Sequence, residues 1–102
     1  MIINAAIQVV PLTKIADAYA VIDNAIALIQ QSGLKYSVGA FETTIEGEYE
    51  KVQQVLRQVQ DFCYSQQQVQ FLIYTKYHLC GGENILAEDK TSKFRSEPDF
   101  NL

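Results

Sequence analysis

The chain has 102 residues, the length of one ordinary domain, with 48% hydrophobic and 20% charged side chains. These are the values of a chain that buries a core, not of a disordered or collagenous one. Twelve acidic against eight basic side chains give a formal charge of −4, which argues against a nucleic-acid or anionic-lipid surface, since both need clustered Lys and Arg to displace counterions.

The opening Met-Ile-Ile-Asn-Ala-Ala-Ile-Gln has neither the basic start nor the cleavage site of a signal peptide. No apolar run approaches the ~20 residues needed to cross a bilayer. Cys63 and Cys80 are too far apart for a CxxC pair, and two cysteines without a secretory signal read as reduced thiols of a cytoplasmic protein.

Ile2 to Val10 alternates Ile3, Ala5, Ile7 and Val9 against Asn4, Ala6, Gln8 and Val10, the period of a strand. Pro11 closes it, because proline cannot donate to a sheet ladder. Ile15, Tyr19, Ile22, Ile26 and Ile29 then recur at helical spacing, which predicts one buried stripe, and Gly33 supplies a left-handed cap. Lys35–Val38 and Phe41–Glu46 read as a hairpin about Gly39-Ala40. Gly47 follows as a break, with Glu48 and Glu50 placed where a helix start favours negative charge.

The second helix carries Tyr49, Val52, Leu56, Val59 and Cys63 on one stripe, with glutamine and charge opposite. A final strand runs from Val69 to about Cys80 and is broken by Gly81-Gly82. Beyond it the chain is polar, anchored only by Ile85, Leu86, Phe94 and Phe100, which predicts a short helix and a loose end.

The order is β-α-β-β-α-β. Right-handed crossovers then give an α+β, ferredoxin-like sandwich, a four-stranded antiparallel sheet with two helices on one face. Residues 1–95 form that single domain, and 96–102 are a polar, flexible end. The face without helices still carries Ala6, Val10, Leu72 and Tyr74 among Gln8, Lys76 and His78. Such a surface is explained by a second copy, as a homodimer or homotetramer through the sheet, or by the C-terminal segment folding back over it. Self-association is the favoured expectation.

Little in the chain points to catalysis. His78 is the only histidine, no Ser-His-Asp set can be completed around it, and metal ligation wants several His or Cys at set spacings. No GxGxxG or Walker A pattern is present. A ferredoxin-like acyl-phosphate hydrolase would need an anion-cradling loop after the first strand, and Pro11-Leu12-Thr13-Lys14 has neither Gly nor Arg. The expectation is a protein without catalytic residues, metal or cofactor.

Tyr36 to Glu48 is different, because it sets two adjacent threonines and two carboxylates where a strand turns into a helix. Hydroxyls offer donor and acceptor together, and a carboxylate accepts from an amine or faces a cation. The same residues also serve plainly as strand formers and as a helix-start charge.

The opening Ala-Ile-Gln-Val-Val-Pro, the central Gly33-Leu-Lys-Tyr-Ser-Val-Gly39 with Glu42-Thr-Thr-Ile-Glu-Gly-Glu48, and Gly81-Gly82 with Lys90-Thr-Ser-Lys-Phe-Arg95 resemble the YkoF-like thiamine-binding family of small bacterial and archaeal proteins. The resemblance runs to Arg95 and is most specific in the central segment. It implies a ferredoxin-like fold, dimers or tetramers built through the sheets, and non-catalytic binding of thiamine or its hydroxymethylpyrimidine moiety. The dense glutamines from Gln53 to Gln70 and the end from Ser96 to Leu102 depart from that pattern.

Chemistry within the matched segments selects the candidate contacts. An aminopyrimidine asks for a donor–acceptor pair, and a cationic thiazolium for negative or π-electron density. Thr43 or Thr44 would bond the pyrimidine, Glu46 would accept from its amine or offset the cation, Tyr36 would stack, and Gln8 would bond the ring edge. Strand parity lets only one of the two threonines serve a given face. Two alternatives have different requirements. A protein-interaction module would use the glutamine face and Tyr74, whereas a dimeric α+β barrel enzyme would need His78 facing inward between helices and sheet.

Overall fold

The computed structural model describes residues 1–95; the end expected to be flexible, with Phe100, lies outside the described residues. The elements are β1 (Ile2–Leu12), α1 (Ile15–Gln31), β2 (Lys35–Val38), β3 (Thr43–Glu48), α2 (Tyr49–Ser65), β4 (Gln70–His78), and a short α3 (Ala87–Thr91) that runs into a 3-10 turn at Ser92–Phe94. The four strands form one antiparallel sheet in the order β2-β3-β1-β4. α3 is an addition to the two helices read from periodicity.

The inward parity of β1 joins the helix stripes in one core: Ile3, Ala5 and Ile7 meet Ile45 of β3, Ala25 and Ile29 of α1, and Val52, Leu56, Val59 and Cys63 of α2. Apolar burial of this kind drives the fold. It also pushes the Cys63 thiol up, because a thiolate would be poorly solvated there. Ser32 caps the end of α1: its hydroxyl donates to the Ile29 carbonyl and accepts from the Leu34 N–H. Gly33 follows at φ 76°, the left-handed geometry glycine adopts without a Cβ clash.

Five expectations about the elements need correction. Pro11 does not close β1, which runs on to Leu12 with Pro11 opposite Phe71, because the missing N–H falls on the edge away from β4. β3 begins at Thr43, so Phe41 belongs to the loop, because β1 offers its last β3 partner at Ile7. Gly47 lies inside β3 opposite Ile3; a Cβ there would come within 2.9 Å of Leu34 Cδ2, so its role is close packing, not a break. β4 ends at His78. The α1 stripe is buried only in its second half, for Ile15 is 74% and Tyr19 65% exposed. A 3.6-residue period names a face but not what stands opposite it, and here the first half of α1 borders a cavity with Val9 and Pro11 of β1.

The C-terminal segment does fold back, over one half of the outer sheet face. Asn84 Oδ1 accepts from the Ile2 N–H and the Ile85 N–H donates to the Ile2 carbonyl, both at 2.9 Å. Phe94 is not an anchor, being exposed. The other half of that face, with Leu12, Leu72 and Tyr74, is exposed.

Candidate functional site

β1 runs past the end of one of its two partners. β4 pairs with it from Asn4 to Leu12, whereas β3 stops at Ile7. Two hydrogen bonds fix which way its main chain points: the Tyr49 N–H donates to the Met1 carbonyl on the β3 side, and the Ile85 N–H to the Ile2 carbonyl on the other. Both ladders are free of bulges, so odd-numbered residues present both main-chain groups to β3. Val9 and Pro11 are the odd residues past the last pair. Pro11 has no N–H to leave unmatched, which is where a strand tolerates proline. Val9 keeps an N–H and a carbonyl side by side without a strand partner.

A cavity of about 390 Å³ lies beside this free edge, bounded by Val9 and Pro11, the Val38–Thr43 segment and the underside of α1 at Ala18, Ile22 and Ile26. The loop that walls it is held by the Gly39 N–H donating to the Glu42 carbonyl at 2.9 Å. A Cβ on Gly39 would stand 3.0 Å from that same oxygen, so glycine allows the tight closure. Exposed Ile15, Tyr19 and Phe41 border the opening. The lining is apolar with a few convergent polar groups, the usual composition of a small-molecule site.

The five candidate contacts divide between the two faces. Thr43 pairs with Ile7 on the helix side, is buried and borders the cavity. Tyr36 shares that side, opposite Ile45, but does not border the cavity. Gln8 borders it from a position whose side chain has outer-face parity, opposite Tyr74. Thr44 and Glu46 are on the outer face, opposite Ala6 and Asn4. The two threonines thus point apart, as strand parity requires.

Glu46 has other partners. Its Oε1 accepts from the Ala87 N–H at 2.6 Å and from Asn4 Nδ2 at 3.0 Å, and its Oε2 lies 3.7 Å from Lys35 Nζ. Burial alone would push this carboxyl up, but the Ala87 N–H, the Asn4 amide and the Lys35 charge outweigh it and hold it below its ordinary value. Glu46 therefore staples the C-terminal segment to β3. Under that segment, Thr44, Lys76, His78 and Lys90 border a second cavity of about 340 Å³. His78 pairs with Asn4 and so faces away from α1 and α2, not inward as the barrel-enzyme alternative requires.

Sequence reasoning missed Glu42, Tyr19, Phe41 and the Val9 main chain. Glu42 borders the first cavity and accepts from Lys76 Nζ at 2.9 Å. The available signal was Pro11 itself: a proline in a strand that continues to be paired on one side marks the unpaired side. Among the described residues no group of three or more His, Cys, Asp or Glu is placed to hold a metal ion, and no helix is long and apolar enough to cross a membrane.

A family model described as thiamine-binding protein matches residues 5–95. A protein of Clostridium perfringens from the uncharacterised family UPF0045 is 26% identical over 92 residues, which span 90% of this chain and 96% of that protein. A domain of unknown function from Bacillus cereus superposes with a TM-score of 0.83 at 33% identity, over 95% of this chain and 93% of that one. A Thermotoga maritima protein described as a candidate for thiamine biosynthesis or salvage superposes with a TM-score of 0.81 at 30% identity, covering 93% of this chain and 100% of that one.

Proposed function

The chain belongs to the thiamine-binding protein family, and from that premise we propose that it binds thiamine or its hydroxymethylpyrimidine moiety, without catalysis, in the cavity between α1, the free edge of β1 and the β2–β3 loop. The observation that carries this reading is the unpartnered N–H and carbonyl of Val9 inside an apolar cleft. An aminopyrimidine presents a ring nitrogen acceptor beside an amine donor, so it completes the ladder where β3 leaves off. The Thr43 hydroxyl adds a third polar contact.

The cationic thiazolium then sits toward the opening. Tyr19 and Phe41 offer ring faces there, and a cation on an aromatic face is stabilised by about 0.5–2 kcal/mol. About 390 Å³ is at the small end of ligand pockets, which suits one molecule of this size. In this reading Thr44, Glu46 and Tyr36 support the fold and make no ligand contact.

The rest of the proposal follows the same premise. The strand order is assigned to the ferredoxin-like arrangement, with α3 as an appended strap. The exposed Leu12, Leu72 and Tyr74 patch is assigned to a second copy in a homodimer or homotetramer. The setting is the cytoplasm, where Cys63 and Cys80 stay reduced. The small molecule is the ligand, and no further cofactor is needed.

The deciding experiment is isothermal titration of the folded protein with thiamine and with hydroxymethylpyrimidine, side by side. Saturable heat with both, near one site per subunit, is the expected result. No heat with either would overturn the reading and leave the interaction module as the better one.

A further inference from the structure

The segment from Gly39 to Glu42 borders the first cavity from outside any helix or strand. It leaves the sheet at a single point. Thr43 is the last β3 residue paired on either edge, with Ile7 of β1 and with Val38 of β2. Beyond it the Gly39 N–H donates to the Glu42 carbonyl. That bond joins the two ends of the loop, which sets its shape but not its place over β1.

The Glu42 side chain supplies the missing tie. Thr43 faces the helices, whereas Glu42 turns to the outer face, where its Oε1 accepts from Lys76 Nζ at 2.9 Å. Lys76 stands on β4 opposite Ala6, and Ala6 stands opposite Thr44 of β3. The ion pair therefore passes over β1 and joins the chain on its two sides, about 9–10 Å apart at the usual strand spacing. Two long side chains meet across that distance, and Ala6 offers only a methyl group to cross. The Glu42 side chain is 33% exposed, so its carboxylate is partly shielded from water and salt.

We propose that Lys76 is a positioning residue for the site between α1, the free edge of β1 and the β2–β3 loop. Through Glu42 it keeps the loop beside that edge and so slows the departure of the ligand. Lys76 itself does not border the cavity and makes no contact there. Its effect on binding rests on the ligand reading above; its effect on the loop rests on the ion pair alone. Charge without positioning would act in the opposite sense. Removing Lys76 takes away a positive charge and frees a carboxylate, which strengthens attraction for thiamine and does nothing for uncharged hydroxymethylpyrimidine. Loss of positioning weakens both.

Lys76→Met removes the charge and keeps an unbranched side chain. The Gly39 amide should then exchange with solvent about threefold faster, the scale of a partly exposed ion pair. Both ligands should leave about threefold faster in stopped-flow displacement, with association little changed. The Gln66 amide at the end of α2 is the reference and should not move. Raising the salt concentration should speed Gly39 exchange in the parent protein and not in the variant, and Lys76→Arg should behave as the parent. Unchanged Gly39 exchange in Lys76→Met, a rise shared with Gln66, tighter binding of thiamine alone, or a Lys76→Arg protein that behaves like Lys76→Met would each overturn this role of Lys76. If neither ligand binds the parent protein, the ligand reading falls, and the exchange comparison still decides whether Lys76 holds the loop.

Discussion

The two halves of β1 are built from similar residues and end in opposite circumstances. From Asn4 to Ile7 the strand has a partner on each edge, helices on one face and the C-terminal strap on the other. From Gln8 to Leu12 it has β4 alone, a cavity between it and α1, and an uncovered outer face. The first half supplies most of the buried strand core, with Ile3, Ala5 and Ile7. The second half supplies an unmatched main-chain edge and an apolar cleft. A single strand can thus be scaffold at one end and binding edge at the other, the division being set by where the neighbouring strand stops.

Substitutions in each half should behave accordingly. The largest loss is expected for Ile45→Ala, facing Ala5 in the closed half and wholly buried. It should cost about 2–5 kcal/mol in urea unfolding. A loss below about 1 kcal/mol would mean that this half is less tightly closed than its burial indicates.

Next comes the strap. Glu46→Ala strands the Ala87 N–H and the Asn4 amide, at a cost of about 1–3 kcal/mol, and hydrogen exchange at Ala87 should quicken. Acid acts on the same carboxyl. Its value is lowered by folding, so its stabilising contribution is complete above the unfolded value of about 4.3 and is lost as pH falls through the lower folded value. The parent protein should therefore lose the difference from Glu46→Ala as it is acidified below that range. An unchanged difference at low pH would mean that the charge on Glu46 does not hold the strap.

In the open half the expected effects move from stability to binding. Thr43→Val preserves shape and should weaken thiamine binding about tenfold, or ~1.4 kcal/mol, with a smaller change in unfolding free energy. Equal affinity would remove Thr43 from the site. The smallest effect is expected at the rim: Ile15→Ser exchanges a largely exposed side chain and should shift stability by no more than about 0.5 kcal/mol. A larger loss in dilute solution would place a contact over the first turn of α1, as in a self-associated state.

Much of this was legible beforehand. The alternation in β1 and the stripe of α2 located the core, because burial on one face writes a period into the sequence. The separation of Thr43 from Thr44 was legible for the same reason. The location of the cavity was not, since it depends on Ile7 being the last residue to find a β3 partner, and register between strands distant in sequence leaves no local mark. Ile15 and Tyr19 misled because their spacing is helical whether or not a sheet lies beneath. Glu46 reads from sequence as a helix-start charge or a ligand contact. Its partners Asn4 and Ala87 are 42 and 41 residues away, out of reach of any local pattern.

The longest pairing of the sheet joins the first strand of the chain to the last, Asn4 to His78 and Leu12 to Gln70. Contacts of such sequence separation must wait for long loops to close, and that slows folding relative to helical proteins of equal size. On the ribosome, β1 emerges first, yet its β4 edge stays open until the chain has been made through His78. The α1, hairpin and α2 segments can assemble on it during that interval; the strand that fixes its full length arrives last.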